Sequence, residues 1–172
     1  ILWIGLFASC IFVRMKQAIL LLDDGTVFYG RAAGMQGTAT GEICFNTGMT
    51  GYQEVFTDPS YFGQIICMTN AHIGNYGTMP LDEESSQVQI RGLVVRNFAR
   101  LASRAMSEED LQTYLERNKV IAISQLDTRK LVRHIRNKGA MNCILSSETT
   151  DVAKLKEDLA RVPSMDGLEL AS

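Results

Sequence analysis

The sequence predicts a single domain of the α+β class with layered β/β/α packing. The first half of the chain contains mostly short apolar runs typical of strands, and the second half follows a helix–strand–helix pattern. A length of 172 residues fits one domain with a substantial core. The hydrophobic content of 46% and the charged content of 21% are typical of a globular protein and not of a disordered one.

The regular structure is predicted to begin with a β-hairpin. Ala18–Leu22 is a short apolar run, and Val27–Tyr29 resumes the pattern after a turn that contains Asp24 and Gly25. An Asp-Gly pair between two apolar runs favours a hairpin, because both residues tolerate a positive φ angle. The closely spaced glycines that follow predict an irregular, turn-rich stretch: Gly30, Gly34, Gly37 and Gly41.

Four further strands are predicted from apolar or β-branched runs: Glu42–Phe45, Gln64–Thr69, Gly92–Arg96 and Val120–Ile123. A first helix is predicted after the acidic sequence Ser107–Asp110, which resembles a capping box. Leu111 and Leu115 are one helical turn apart and therefore form its buried face.

Two more helices are predicted from their ends. Asp127 caps a helix that runs to Lys138, where Gly139 ends it and basic residues suit its C-terminal end. A last helix starts near Asp151 and ends before Pro163. This order of elements completes the α+β pattern.

Charge and cysteine content argue against several classes of function. A net charge of −2 gives no basic surface for nucleic acid, so no nucleic-acid partner is expected. With two histidines and no Cys-x-x-Cys pair, no metal site is predicted. The cysteines have apolar neighbours and indicate reduced, buried thiols of a cytoplasmic protein: Cys10, Cys44, Cys67 and Cys143.

Residues 1–14 form an apolar run that is too short for a membrane-spanning helix. No small-residue cleavage site follows, and a strand pattern starts almost at once. We interpret residues 1–14 as a non-native or upstream segment with Met15 as the start, and a signal peptide or anchor as the alternative. No membrane partner is expected.

Three groups of side chains are candidates for chemistry. Cys67, His72 and Asp82 could form a triad, but Cys67 lies in an apolar run and is expected to face the core, so no catalytic residue is assigned. The carboxylates of Asp82–Glu84 could hold a metal or act as acid and base, and a solvated turn is the favoured interpretation. The last helix but one carries a basic set that could bind phosphate or RNA, although a solvated face is favoured in a slightly acidic chain: Arg129, Lys130, Arg133, His134, Arg136 and Lys138.

The segment Asn46–Tyr61 is unusually rich in Thr, Gly and aromatic residues. Its aromatic side chains are predicted anchors, and Asp58–Tyr61 is a proline turn that leaves the Ser60 hydroxyl on an exposed, rigid corner. The segment is typical of a docking loop that presents hydroxyl and amide groups. The alternative is a self-packed loop that bridges two layers.

Several of these motifs resemble the small chain of carbamoyl phosphate synthetase, in the order and spacing of that family. The resemblance extends from about Met15 to Ser172. It rests on Met49–Glu54, Thr57–Tyr61, His72–Asn75, Asp82–Val88, Gly92–Arg96, Leu126–Leu131, Lys138–Met141 and Pro163–Ala171. One departure is the absence of a glycine often found after Asn142, which leaves the local strand pairing open.

The resemblance implies the glutaminase (small) subunit, which hydrolyses glutamine and passes ammonia to a large subunit. The large subunit makes carbamoyl phosphate from bicarbonate with ATP and Mg²⁺, for arginine or pyrimidine biosynthesis in the cytoplasm. Residues 15–165 would form the N-terminal domain, similar to swivelling β/β/α domains, and residues 166–172 would begin a linker. A class I amidotransferase domain with a Cys–His–Glu triad would follow.

Since none of the cysteines lies in a Gly-x-Cys-x-Gly nucleophile turn, this chain alone is expected to be inactive and to hold no cofactor. Its expected partners are the large subunit, the amidotransferase domain and glutamine. The resemblance implies one substrate contact, the hydroxyl of Ser60, which would bind glutamine across the interdomain cleft. The alternative function is a freestanding, non-catalytic binding module of the same fold.

Overall fold

Seven strands close into a barrel in the computed structural model, which describes residues 16–74, 87–98 and 109–163. Two short strands form a separate small sheet. The strands are β1 (Gln17–Leu22), β2 (Val27–Gly34), β3 (Thr38–Asn46), β4 (Ile65–Met68), β5 (His72–Ile73), β6 (Gly92–Val94), β7 (Asn97–Phe98), β8 (Ile121–Ser124) and β9 (Met141–Ser146). The helices are α1 (Tyr52–Thr57), α2 (Leu111–Arg117), α3 (Thr128–Lys138) and α4 (Val152–Ala160), with a 3₁₀ turn at Pro59–Tyr61.

The order of strands around the barrel is β1-β2-β8-β6-β4-β3-β9, and β9 pairs with β1. The pairs β3–β4, β4–β6 and β6–β8 are parallel. The other neighbours in the barrel are antiparallel. Because parallel strands bring their carboxyl ends to the same edge, the segments that leave β3, β4, β6 and β8 meet at one end of the barrel.

Strand β1 shows how the core is divided between the inside and the outside of the barrel. Its alternate side chains join the cluster enclosed by the strands: Ala18, Leu20 and Leu22. The intervening Ile19 and Leu21 point outward, where they pack with Leu155 and Leu159 of α4. This alternation is the period of two that a strand imposes, and it lets β1 be buried on both faces.

The predicted hairpin is confirmed. Strands β1 and β2 pair antiparallel, Gly25 has a φ of +84°, and the Asp24 carboxylate accepts a 2.9 Å hydrogen bond from the backbone N–H of Thr26. The turn-rich interpretation of the next glycines is wrong for Gly30 and Gly34, which lie in β2, and for Gly41, which lies in β3. It is confirmed for Gly37, which lies in the bend between these strands.

Close approach of neighbouring strands explains two of these glycines. A Cβ atom on Gly30 would lie 2.4 Å from the carbonyl oxygen of Ser124, and one on Gly41 would lie 2.4 Å from that of Gly63. Such contacts leave no room for a side chain, so glycine inside a strand marks a tight passage.

Helix α2 packs on the outside of the parallel strands. The predicted cap at Ser107 lies outside the described residues, and the cap that the structure shows is Asp110, whose carboxylate accepts a 3.0 Å bond from the N–H of Thr113. Leu111 and Leu115 are buried as predicted. They share a cluster with α1 and with the outward side chains of β4, β6 and β8.

The ends of the other two helices are confirmed. The Asp127 carboxylate accepts a bond from the N–H of Lys130, and α3 ends at Gly139, whose φ is +94°. The Asp151 carboxylate accepts bonds from two backbone N–H groups at the start of α4. Leu131 and Ile135 place one face of α3 in the cluster enclosed by the barrel.

The α+β class is confirmed, and the β/β/α layering is not. Strand β9, whose pairing the sequence leaves open, pairs antiparallel with both β1 and β3 and thereby closes the sheet. The closure joins residues that are far apart in the chain, such as Thr38 and Ser146, whose hydroxyls lie 2.8 Å apart. The predicted boundary segments, residues 1–14 and 166–172, lie outside the described residues.

Candidate functional site

The segment Asn46–Tyr61 is more ordered than a docking loop. Its middle forms helix α1, in which Tyr52 and Phe56 are buried with ring centroids 5.7 Å apart. The prediction of these aromatic rings as anchors is confirmed. Both loop interpretations, a docking loop and a self-packed loop, are wrong about the backbone of this part, because it is helical and its two rings, one helical turn apart, pack on the parallel strands.

Asn46 ties the two ends of the segment together. Its side-chain oxygen accepts a 2.7 Å hydrogen bond from the N–H of Gly48, and its amide group donates a 3.0 Å bond to the hydroxyl of Tyr61. A third bond, 2.6 Å long, runs from the Asn70 amide to the carbonyl oxygen of Met49. These side-chain bonds satisfy backbone and hydroxyl groups that a loop would otherwise leave to water.

Ser60 lies on the 3₁₀ turn that leads toward β4. The Asp58 carboxylate accepts a 2.8 Å bond from the N–H of Ser60, and the Asp58 carbonyl accepts a 3.0 Å bond from the N–H of Tyr61. Pro59 fixes φ at the first position of the turn. Ser60 itself is exposed. The predicted proline turn with an exposed Ser60 is therefore confirmed, and the binding of glutamine by its hydroxyl stays a prediction.

Two large apolar side chains are exposed in this segment or next to it in the sequence. Met49 is 74% exposed, and Phe62 is 52% exposed directly after the turn. Single exposed apolar residues are common, but these two flank the same helix and turn. They offer apolar contact area before and after the Ser60 corner in the sequence.

Cys67 is not a nucleophile. It is fully buried in the barrel. The pKa of its thiol is raised to about 12, mainly because burial disfavours the charged thiolate. His72 is exposed, and Asp82 lies outside the described residues. A thiol that is protonated near neutral pH and closed off from solvent cannot attack a substrate.

The other described cysteines follow the same rule. Burial raises the pKa of Cys44 to about 12 and raises that of Cys143 as well. These two and Cys67 form no disulfide. Cys143 is buried as predicted, Cys44 is only partly buried, and Cys10 lies outside the described residues.

A groove of about 530 Å³ lies at the carboxyl ends of three parallel strands. Thr69 and Ala71 follow β4, Arg96 follows β6, and Thr128 begins α3 after β8. The remaining lining residues belong to α3: Arg129, Val132, Arg133 and Arg136. The basic residues of α3 thus lie on an exposed face, as the favoured interpretation predicts. Three of them also line the groove together with Arg96, which follows β6.

Sequence reasoning missed this groove because its arginines come from separate segments. The signal was present at Arg96, which is the last residue of the predicted strand Gly92–Arg96 and directly follows its apolar run. In sheets with parallel strands, ligands bind beyond the carboxyl ends of the strands. The carboxylates of Asp82–Glu84 lie outside the described residues.

Within the described ranges, no group of three or more His, Cys, Asp or Glu side chains is placed to hold a metal ion. None of the helices found in those ranges has the length and apolar character needed to cross a membrane.

Comparison with known proteins addresses the resemblance directly. Residues 20–145 match the family model described as "Carbamoyl-phosphate synthase small chain, CPSase domain". The chain belongs to this family. The expected kinship with the small chain of this ligase is therefore confirmed.

Named relatives agree with the family match. Over 158 residues, 91% of this chain, it is 51% identical to the carbamoyl phosphate synthase small chain of Escherichia coli K12, of which it covers 41%. Identity to the small chain of Salmonella typhimurium is 50% with the same coverage, and to that of Yersinia pestis 51% with 40% of the relative covered. The chain thus spans about two fifths of the length of these relatives.

A solved structure, an aminopeptidase from Aneurinibacillus sp. strain AM-1, has a TM-score of 0.41 and 11% identity over 78% of this chain and 30% of its own. That likeness is too weak to carry an argument about the fold.

Proposed function

We propose that the chain is the N-terminal domain of the glutaminase subunit of a glutamine-dependent carbamoyl phosphate synthase. In that role it contributes one wall of the glutamine site and docks on the large subunit. The observation that carries the proposal is the Ser60 corner: an exposed serine whose backbone N–H is held by Asp58, in a chain of this family. We also propose that this domain is related to swivelling β/β/α domains.

The hydroxyl of Ser60 suits a zwitterionic substrate. It both donates and accepts hydrogen bonds, so it can bind the α-amino or the α-carboxylate group of glutamine without adding a charge of its own. The bond between Asp58 and the N–H of Ser60 limits the motion of the corner before the substrate arrives. A fixed donor or acceptor loses less freedom on binding than a mobile one, which favours affinity.

The catalytic step would take place in the part of the relatives that the chain does not match. That part would carry the class I amidotransferase domain with its Cys–His–Glu triad, and the chain alone would be inactive. Ammonia would pass to the large subunit, which would bind ATP and Mg²⁺ and form a heterodimer with the small one. The complex would serve arginine or pyrimidine biosynthesis in the cytoplasm.

The exposed apolar side chains near the corner fit this division of labour. Met49 and Phe62 would be covered when the amidotransferase domain packs beside Ser60. Covering them would remove apolar area from water, at about 25 cal/mol per Å², and would exclude water from the substrate.

A chimera tests the proposal. Residues 16–163 replace the matching part of the Escherichia coli small chain, and the product is combined with the Escherichia coli large subunit. We expect carbamoyl phosphate synthesis with glutamine as the nitrogen donor. The large subunit alone, supplied with ammonia, is the control. A chimera that assembles but works only with ammonia would contradict the proposal and favour a freestanding binding module.

A further inference from the structure

The arginine groove is a strongly basic feature in a chain of net charge −2. We define it by its four arginines: Arg96, Arg129, Arg133 and Arg136. All four side chains belong to exposed residues. The groove lies beyond the carboxyl ends of β4 and β6. Ser60 lies in the segment that precedes β4, so the groove and the Ser60 corner belong to segments at opposite ends of this strand.

The arginines of α3 form a row. Positions 129, 133 and 136 lie four and three residues apart, which places them along one helical face. At a rise of about 1.5 Å per residue the row extends for about 10 Å, and Arg96 approaches it from the end of β6. Positive charge is therefore spread along the groove and not focused on one point.

None of these arginines forms an ion pair within the described part of the chain. The ion pairs found there join Arg117 to Glu109 and Arg161 to Asp158, and His134 contacts Asp24; all of these lie outside the groove. Guanidinium groups that no described carboxylate neutralises repel each other, and that repulsion is relieved when anions bind between them.

The floor of the groove is not purely polar. Val132 and Ala71 contribute apolar atoms, and Thr69 and Thr128 contribute hydroxyl groups. Guanidinium groups bind carboxylates through two parallel hydrogen bonds, with the apolar floor left for the carbon atoms between the charges. A ligand that matches the groove therefore has several separate carboxylates joined by a flexible, partly apolar chain.

We propose that the arginine groove binds an acidic segment of a protein partner, with carboxylates spaced over about 10 Å along α3. A single inorganic phosphate is too small to reach all the arginines of the row. Single-stranded RNA gains much of its affinity from bases that stack on aromatic side chains, and the described residues that line the groove include no aromatic one, which disfavours it. The proposal does not depend on the role of Ser60.

The test uses the 172-residue chain and a fluorescein-labelled peptide of alternating glutamate and alanine, read by fluorescence anisotropy. The same peptide with glutamine in place of glutamate shows the contribution of charge. Labelled oligouridylate and unlabelled inorganic phosphate, the latter as competitor, represent the other anions. Low ionic strength is used first and then raised, because exposed ion pairs weaken with salt.

The variant Arg129→Glu/Arg133→Glu should weaken binding of the glutamate peptide at least about tenfold, since repulsion replaces attraction at two positions. The matched control is Lys154→Glu/Lys156→Glu, which changes the charge equally at exposed positions of α4 and should leave binding within about twofold. Far-ultraviolet circular dichroism checks that both variants fold.

Binding of the glutamate peptide that is lost in the groove variant and kept in the control supports the proposal. Equal losses in the two variants would contradict it, because the attraction would then be due to net charge alone. Preference for oligouridylate, displacement by millimolar phosphate, or no binding of the glutamate peptide would also overturn it. Each of these results leaves the glutamine assay of the chimera unaffected, so the two proposals fail separately.

Discussion

The Asp58 carboxylate accepts a 2.8 Å hydrogen bond from the backbone N–H of Ser60. This bond caps the 3₁₀ turn at Pro59–Tyr61, and it fixes Ser60 at an exposed position. A side chain that caps a turn stabilises it by satisfying a backbone donor that the turn itself leaves unpaired. Asp58 is thus a positioning residue for Ser60 in the proposed site.

Replacing Asp58 by alanine should loosen the corner. We expect a loss of about 1 kcal/mol in the free energy of unfolding, as for other caps, together with a higher KM for glutamine in the chimera. The matched control is Asp110→Ala, which removes the cap of α2 and its 3.0 Å bond to the N–H of Thr113. It should cost similar stability and leave the KM unchanged. Equal KM values for the two variants would show that Asp58 acts on stability alone.

The contact between Asp24 and His134 predicts a pH-dependent contribution to the free energy of unfolding. The His134 ring nitrogen lies 2.7 Å from the Asp24 carboxylate. Burial alone would raise the pKa of Asp24, but hydrogen bonds from Thr26 and the proximity of His134 outweigh it and hold this pKa below its usual value. A carboxylate with a depressed pKa stabilises the fold above its unfolded pKa of about 3.9, and this stabilisation is lost as pH falls through the folded pKa.

Asp24→Asn should therefore destabilise the chain at pH 7 and lose that effect in acid. Chemical denaturation at a series of pH values measures the difference between the variant and the wild type. Asp23→Asn is the control, because it removes the neighbouring carboxylate, which has no hydrogen bond to Thr26 or His134, and it should cost less stability at pH 7. A difference for Asp24→Asn that stays constant down to strongly acidic pH would contradict the electrostatic explanation.

Gly30 predicts a severe packing defect. A Cβ there would lie 2.4 Å from the Ser124 carbonyl oxygen and 2.7 Å from the Cγ1 atom of Ile123, so Gly30→Ala must separate β2 from β8. We expect a loss of about 1–3 kcal/mol in the free energy of unfolding. Gly37→Ala is the control, because its new Cβ would meet only the side-chain end of Ile121 at 3.0 Å. In thermal unfolding, the melting temperature of Gly30→Ala should be well below that of Gly37→Ala. Equal melting temperatures would contradict the claim that β2 and β8 are too close at Gly30 for a side chain.

Local chemistry explains which elements were predictable from the sequence. The hairpin at Gly25 and the helices capped by Asp127 and Asp151 depend on signals within a few neighbouring residues. Helix α1 was missed because its apolar positions, Tyr52 and Phe56, stand in a stretch rich in Gly and Thr that also favours loops.

Features that depend on distant parts of the chain were not predictable. Closure of the barrel requires β9 to pair with both β1 and β3, and no local pattern encodes such a partner. The arginine groove likewise needs Arg96 and Arg129 at the ends of neighbouring parallel strands. The Ser60 corner was predictable in geometry because Asp58 and Pro59 act on the next residues, whereas its substrate came only from the family resemblance.

The central claim concerns the hydroxyl of Ser60, and Ser60→Ala in the chimera tests it most directly. Loss of one hydrogen bond to a charged group of the substrate costs about 1.5–3 kcal/mol, which is about tenfold or more in affinity. We therefore expect the KM for glutamine to rise at least about tenfold with ammonia-dependent synthesis unchanged, while Thr150→Ala, which removes another exposed hydroxyl, changes neither. A KM for glutamine in the Ser60→Ala variant equal to that of the unmodified chimera would contradict the account.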